Sequence, residues 1–168
     1  MACGDKDSDE RIAKALLKKV VKEDLIDIPL EDVSFLTLDA VEVQNEEEEE
    51  LVKKGFTVVC EIGEKLQDDE EIQDDIKGLV QNFNNGIAKA KEIFQENLNV
   101  MFQGGITWEK IVRLLYFVGK VAYTMVKSKG MAQSLMELLI WILDFFLKDL
   151  LLWIRGHGGW IGFESAVV

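Results

Sequence analysis

Apolar residues recur at helical spacing through most of this chain. In residues 10–25, "ERIAKALLKKVVKEDL", Ile12, Leu16 and Val20 fall on one stripe with lysines opposite. That pattern predicts an amphipathic helix, capped by Ser8 or Asp9. Residues 26–45 hold the only proline, Pro29, and show no sustained period, so they read as a loop. The run "NEEEEE" at 45–50 reads as a solvated acidic helix start, where carboxylates suit the positive end of the helix dipole. Further helices are predicted over 51–66, 69–82 and 87–102, the last with Ile87, Ala90, Ile93 or Phe94, Leu98 and Phe102 on one face. "NFNNG" at 82–86 and "GG" at 104–105 read as breaks.

Two longer and greasier helices follow, at 107–127 and 131–154, joined by "SKG". Between Trp108 and Val126 apolar residues nearly encircle the first of them, which marks a helix that neighbours must cover. There is no strand-type alternation and no internal repeat. The fold class is therefore all-α, a single helical bundle over residues 1–168 of about eight helices, with 107–127 at its centre and a central hydrophobic hairpin.

Charge divides the chain. Residues 1–100 carry 26 acids and 12 bases, while 101–168 carry 5 acids and 7 bases. The net charge of −12 excludes a nucleic-acid partner, which needs a basic face. Cys3 and Cys60 form no close pair and no ligand cluster, so no disulfide framework, metal or cofactor is indicated. The N-terminus lacks the apolar stretch of a secretory signal. The apolar run Met131–Ile154 is interrupted by Glu137, Asp144, Lys148 and Asp149, short of the ~20 uncharged residues that span a bilayer. An enzyme fails on parts. The single histidine, His157, offers no triad, no phosphate-binding glycine loop occurs, and "DDEEIQDD" lacks calcium-loop spacing. No catalytic residue is assigned. A scaffold with no membrane role is the remaining non-enzymatic alternative from the residues alone.

"WIRGHGGW", Trp153 to Trp160, sets two tryptophans around three glycines. Glycine tolerates the left-handed backbone of a helix end, so the stretch reads as a helix stop followed by an aromatic anchor. Together with "GGITWEKIVRLLYF" at 104–117 and "VVCEIGEKLQDDEEI" at 58–72, it resembles the conserved-homology segments of the Bcl-2 family of apoptosis regulators. The three segments resemble the second, first and third homology regions, and their order along the chain is the family order. The resemblance implies a Bcl-2-like bundle with the third-region helix over 51–68, the first region over 104–123 and the second over 150–163.

By the same resemblance, Val59, Ile62, Gly63, Glu64 and Leu66 form the ligand helix. In it Val52, Val59, Ile62 and Leu66 share one stripe. Ile62 and Leu66 are expected to be mostly buried at rest. Helix-in-groove binding is a recognition mode for which this family is a known example. The groove is assigned to Phe94, Leu98, Phe102, Trp108, Lys110, Val112 and Leu115. The second-region turn is Gly158 and Gly159, pinned by Trp153 and Trp160, with His157 at the surface. Where the family has Asn-Trp-Gly-Arg, this chain has Thr107, Trp108, Glu109 and Lys110. Lysine keeps the charge of arginine but loses its two-point geometry, and Glu109 adds a like charge near an incoming acid. "LLYFVGKVAYTMV" and the leucine before Trp153 resemble the Bax-type branch.

The implied function is a pro-apoptotic effector, cytoplasmic at rest and at the mitochondrial outer membrane when active. Its implied partners are ligand helices, other family members and further copies of itself. The alternative is a pro-survival member that sequesters ligand helices. Bax-type proteins usually end in an apolar anchor helix, whereas this sequence ends at Val168 with "GFESAVV".

Overall fold

The computed structural model describes residues 6–25, 46–127, 132–160 and 162. The loop read over 26–45 and the "SKG" joint at 128–130 lie outside them. Among the described residues the chain forms seven α-helices and one π-helical turn. These are α1 (Lys6–Asp24), α2 (Glu46–Leu66), α3 (Glu70–Phe83), α4 (Ile87–Met101), α5 (Trp108–Lys127), α6 (Ala132–Phe145), the π turn (Phe146–Leu150) and α7 (Leu151–Gly156).

The apolar ring on α5 dictates its place. It packs against α1, α2, α3 and α6, and Ile111, Leu114, Phe117, Val118, Val121 and Met125 are fully enclosed. The helix begins where Thr107 takes the capping role, its Oγ1 accepting from the Lys110 amide at 3.2 Å. Around this axis α1 crosses α2 and α5, α3 pairs with α4, and α4 leans on α6. Asp69 caps α3 through the Ile72 amide at 3.2 Å.

Four elements depart from the sequence reading. First, α1 starts at Lys6, so Asp9 is not a cap. Its side chain turns inward, 6% exposed, and Oδ1 accepts from the Trp160 amide at 3.3 Å. Second, α2 begins within the glutamate run, and Glu48 is not solvated. It is buried and accepts two hydrogen bonds from Arg11 of α1, at 3.1 and 2.7 Å. Third, Ile87, expected on the core face of α4, is 45% exposed, because the buried stripe there is Ala90, Phe94 and Leu98.

Fourth, the single helix expected over 131–154 is divided by the π turn. Ile142, Phe146, Leu150 and Ile154 are all buried and recur every fourth residue. Each step of four overshoots an α-helical turn by about 40°, so three steps would carry the last residue far off the core face. One wider π turn returns about 90° of that drift and keeps all four on one side.

Candidate functional site

The inward stripe of α2 is Leu51, Val52, Gly55, Val59, Gly63 and Leu66. Two glycines bring it close to its neighbours. A β-carbon on Gly55 would stand 3.0 Å from a methyl of Leu16 in α1, and one on Gly63 would stand 3.0 Å from the Tyr116 ring of α5. The seam therefore runs through Gly63 rather than Ile62. Ile62, expected to be mostly buried, is half-buried on the flank, because the stripe from Val59 continues to Gly63 and Leu66. There it borders a surface hollow of about 690 Å³ shared with Val58, Glu61, Lys65, Trp108 and Glu109. Leu66 is buried as expected, Val59 is buried beside it, and Glu64 is exposed.

The far end of α2 is tied to the central helix. Gln73 of α3 donates from Nε2 to the Leu66 carbonyl at 2.9 Å and to the Tyr116 hydroxyl at 3.2 Å. On the α1 side Lys120 donates to Asp24 at 2.9 Å. Gly119 makes room for that carboxylate, since a β-carbon there would collide with Asp24 Oδ2. Burial lowers the Lys120 pKa, but the hydrogen bond and charge of Asp24, helped by Tyr116 and Tyr123, outweigh it and leave the ammonium above its ordinary value. Cys60 edges the cleft between α1, α2 and α5. Burial, then Glu23, Asp24 and Glu64, push its thiol up against the opposing pull of Lys120, which makes it a poor nucleophile near neutral pH.

The seven residues assigned to a groove are distributed among several places. Phe94 and Leu98 face a cleft of about 540 Å³ between α4 and α6, floored also by Trp141 and Phe145. Phe102 packs on Phe145, with ring centroids 5.5 Å apart. Lys110 borders a separate cleft between α3, α4 and the first turns of α5. Trp108 borders the hollow beside Ile62, whereas Val112 and Leu115, each 1% exposed, are core residues of α5. The α4–α6 cleft gave no sequence signal, because its walls meet only when two helices distant in sequence lie side by side.

The second-region residues do come together. Gly158 and Gly159 adopt φ of +91° and +71°. The Gly159 amide donates to Ile154 O at 2.8 Å and the Gly158 amide to Arg155 O at 3.3 Å, the paired bonds of a Schellman stop. Trp108 sits 5.0 Å from Trp153 and 5.7 Å from Trp160 by ring centroids, so the start of α5 and the end of α7 share one aromatic cluster. The Trp160 indole donates to the Asp9 carbonyl at 2.9 Å, which ties α1 to the same cluster. His157 is exposed, stacks on Trp153 at 3.9 Å, and its Nδ1 lies 2.8 Å from the Trp153 carbonyl. Among the described residues no group of three or more His, Cys, Asp or Glu is placed to hold a metal ion. Among them, too, no helix is long and apolar enough to cross a membrane.

Residues 59–160, more than half of the chain, match the family model described as "Apoptosis regulator proteins, Bcl-2 family". Apoptosis regulator BAX of Mus musculus is 29% identical over 114 residues, 67% of this chain and 56% of the relative. Its Rattus norvegicus counterpart matches to the same extent. The aligned part thus spans little more than half the length of these relatives. Among solved structures, the Trichoplax adhaerens protein trBcl-2L2, crystallised bound to trBak BH3, superposes with a TM-score of 0.65. That match covers 94% of this chain and 95% of the other at 18% identity, which shows a common fold.

Proposed function

Since this chain belongs to the Bcl-2 family of apoptosis regulators, we propose that it is a pro-apoptotic effector of the BAX type. In this reading the protein rests in the cytoplasm with α2 folded inward. A ligand helix bound at the surface shifts the population toward a state with α2 released. The freed stripe then joins copies of the chain, and the apolar α5–α6 pair passes into the mitochondrial outer membrane. The observation that carries the reading is the inward seam of α2. A helix with ligand-type spacing serves as a cover over α1 and α5, held at close approach through Gly55 and Gly63. Moving covered apolar area into lipid is favourable by roughly 25 cal/mol per Å². The similarity to BAX supports the same branch.

The second reading, a pro-survival protein that captures ligand helices, is favoured by the fold neighbour, which was solved with such a helix bound. One experiment separates the two. The chain is tethered through its C-terminus to liposomes of mitochondrial lipid composition, and entrapped-dye release is followed across a panel of ligand-helix peptides with binding measured in parallel. Release by at least one bound peptide, lost in Ile62→Asp, is expected of the effector. Tight binding with no release from any peptide, together with suppression of another pore former, overturns the effector reading in favour of the second.

A further inference from the structure

Along the cleft between α4 and α6, an apolar floor runs between two charges of opposite sign. Phe94, Leu98, Trp141 and Phe145 floor this opening of about 540 Å³. Two ring contacts fix its direction. Phe94 lies 6.0 Å from Trp141 and Phe102 lies 5.5 Å from Phe145 by ring centroids, so both helices advance the same way along it. Lys91 therefore stands at one end, and Asp149, in the π turn beyond Phe145, stands at the other. The stretch of α4 from Lys91 to its end at Met101 is about 15 Å long. Both charged groups are exposed, and among the described residues neither takes part in an ion pair. The third lining charge, Asp144, is matched by Lys148 at 3.2 Å, so that pair adds no net charge to the rim. Ile140, toward the Lys91 end, is 55% exposed. We propose that two copies of the chain pair through this cleft about a two-fold axis, with Lys91 of each facing Asp149 of the other and Ile140 of each covering the floor of the other.

The choice of a second copy rests on self-complementarity. A two-fold axis at the middle of the cleft exchanges its ends. The positive end of one copy then meets the negative end of the other, and both pairs form at once. A partner bearing a single sign of charge would satisfy one end and be repelled at the other. The same rotation carries each Ile140 toward the Phe145 end of the opposite floor. That removes from water a large apolar side chain which a lone copy leaves exposed. Each copy carries a net charge of −12, but physiological salt screens that repulsion over about 8 Å, whereas the paired groups stand closer than this. The contact leaves α2 in place, so it is separate from the release of that helix in the effector reading.

The full chain is followed by sedimentation equilibrium from about 1 to 500 μM at physiological salt, where a reversible dimer is expected. Lys91→Glu and Asp149→Lys each set like charges against each other at both ends and should weaken the dimer at least about tenfold. Mixed in equal amounts, the two variants again form opposite-sign pairs at both ends. Their mixed dimer should return to within about threefold of the parent. All these positions are exposed, so circular dichroism should match the parent's. A parent that stays monomeric throughout overturns the proposal and leaves the cleft to some other occupant. Single swaps that dimerise as well as the parent overturn it by placing the contact elsewhere, and a mixture that fails to recover overturns the two-fold pairing. Ile62→Asp is expected to keep the dimer, and its loss there would overturn the proposal by assigning the contact to α2. Dye release on liposomes decides the effector reading separately, whichever result is obtained.

Discussion

A β-carbon on Gly63 would stand 3.0 Å from Cδ1 and 3.1 Å from Cε1 of Tyr116. The ring is buried and its hydroxyl is tied to Gln73, so it yields little. Gly63→Ala is expected to destabilise the protein by about 1–2 kcal/mol, the overpacking outweighing the gain in helix propensity. Gly78→Ala in α3, with open space around it, should stabilise by about 0.5–1 kcal/mol. Urea unfolding of the two variants checks both signs, and a stabilised Gly63→Ala would refute the close seam.

Within the glutamate run, position 48 is expected to stand apart. Glu48→Ala breaks a buried two-point contact with Arg11 and should cost about 3 kcal/mol. Glu50→Ala, at an exposed position of the same run, should change stability by less than about 0.5 kcal/mol. Matched thermal melts distinguish them.

The Lys120–Asp24 pair gives a pH signature. The ammonium is raised on folding, so the stability it contributes is present below the unfolded value of roughly 10.4 and is lost as pH rises through the folded one. The advantage of the parent over Asp24→Asn should be flat from neutral pH to about 10 and shrink above it. Urea midpoints of both proteins across that range test this, and an advantage that grows at high pH would exclude the assignment.

At the other end of α1, Gly159 serves two needs. Its φ is +71°, and a β-carbon would meet Asp9 Oδ1 at 2.9 Å. Gly159→Ala should therefore destabilise by about 2 kcal/mol, and Trp160→Ala, which empties a site only 2% exposed, by about 3–5 kcal/mol. Both are read from denaturant unfolding. The Gly159→Ala loss should be smaller when combined with Asp9→Ala, because part of it is the collision with that carboxylate.

The helices up to α5 and their order were legible in the sequence because each carries an apolar period of about 3.6 residues. The division of 131–154 was not, because Ile142, Phe146, Leu150 and Ile154 recur every fourth residue and only packing shows the π turn that keeps them on one side. The central place of α5 was legible because, within a helical bundle, an apolar ring must be covered by neighbours on every side. The turn at Gly158 and Gly159 was legible because few residues other than glycine take that backbone. What periodicity conceals is rotation within a stripe. Ile62 and Gly63 are adjacent, and only the Tyr116 ring decides which of them faces inward. Long-range polar ties were equally hidden. Nothing near Glu48 distinguishes it from its four neighbours, and its partner lies 37 residues away. The groove residues could not be sorted because Phe94 and Lys110 sit on helices that open onto different clefts.

The π turn at Phe146–Leu150 means that the chain carries one residue more than its core requires at that point. The excess is accommodated on the solvent side, at Leu147, Lys148 and Asp149, all exposed. Deleting Lys148 would bring Phe146 and Leu150 within three positions and leave the flanking steps at four, the alternation that an ordinary helix prefers. Such a shortened protein is expected to keep its core and fuse α6 with α7 into one uninterrupted rod, with helicity and melting temperature no lower than the parent's. A second surplus residue beside the first would have no wider turn to absorb it and would swing Leu150 and Ile154 away from α5. At this place in the fold, length is tolerated in one direction only.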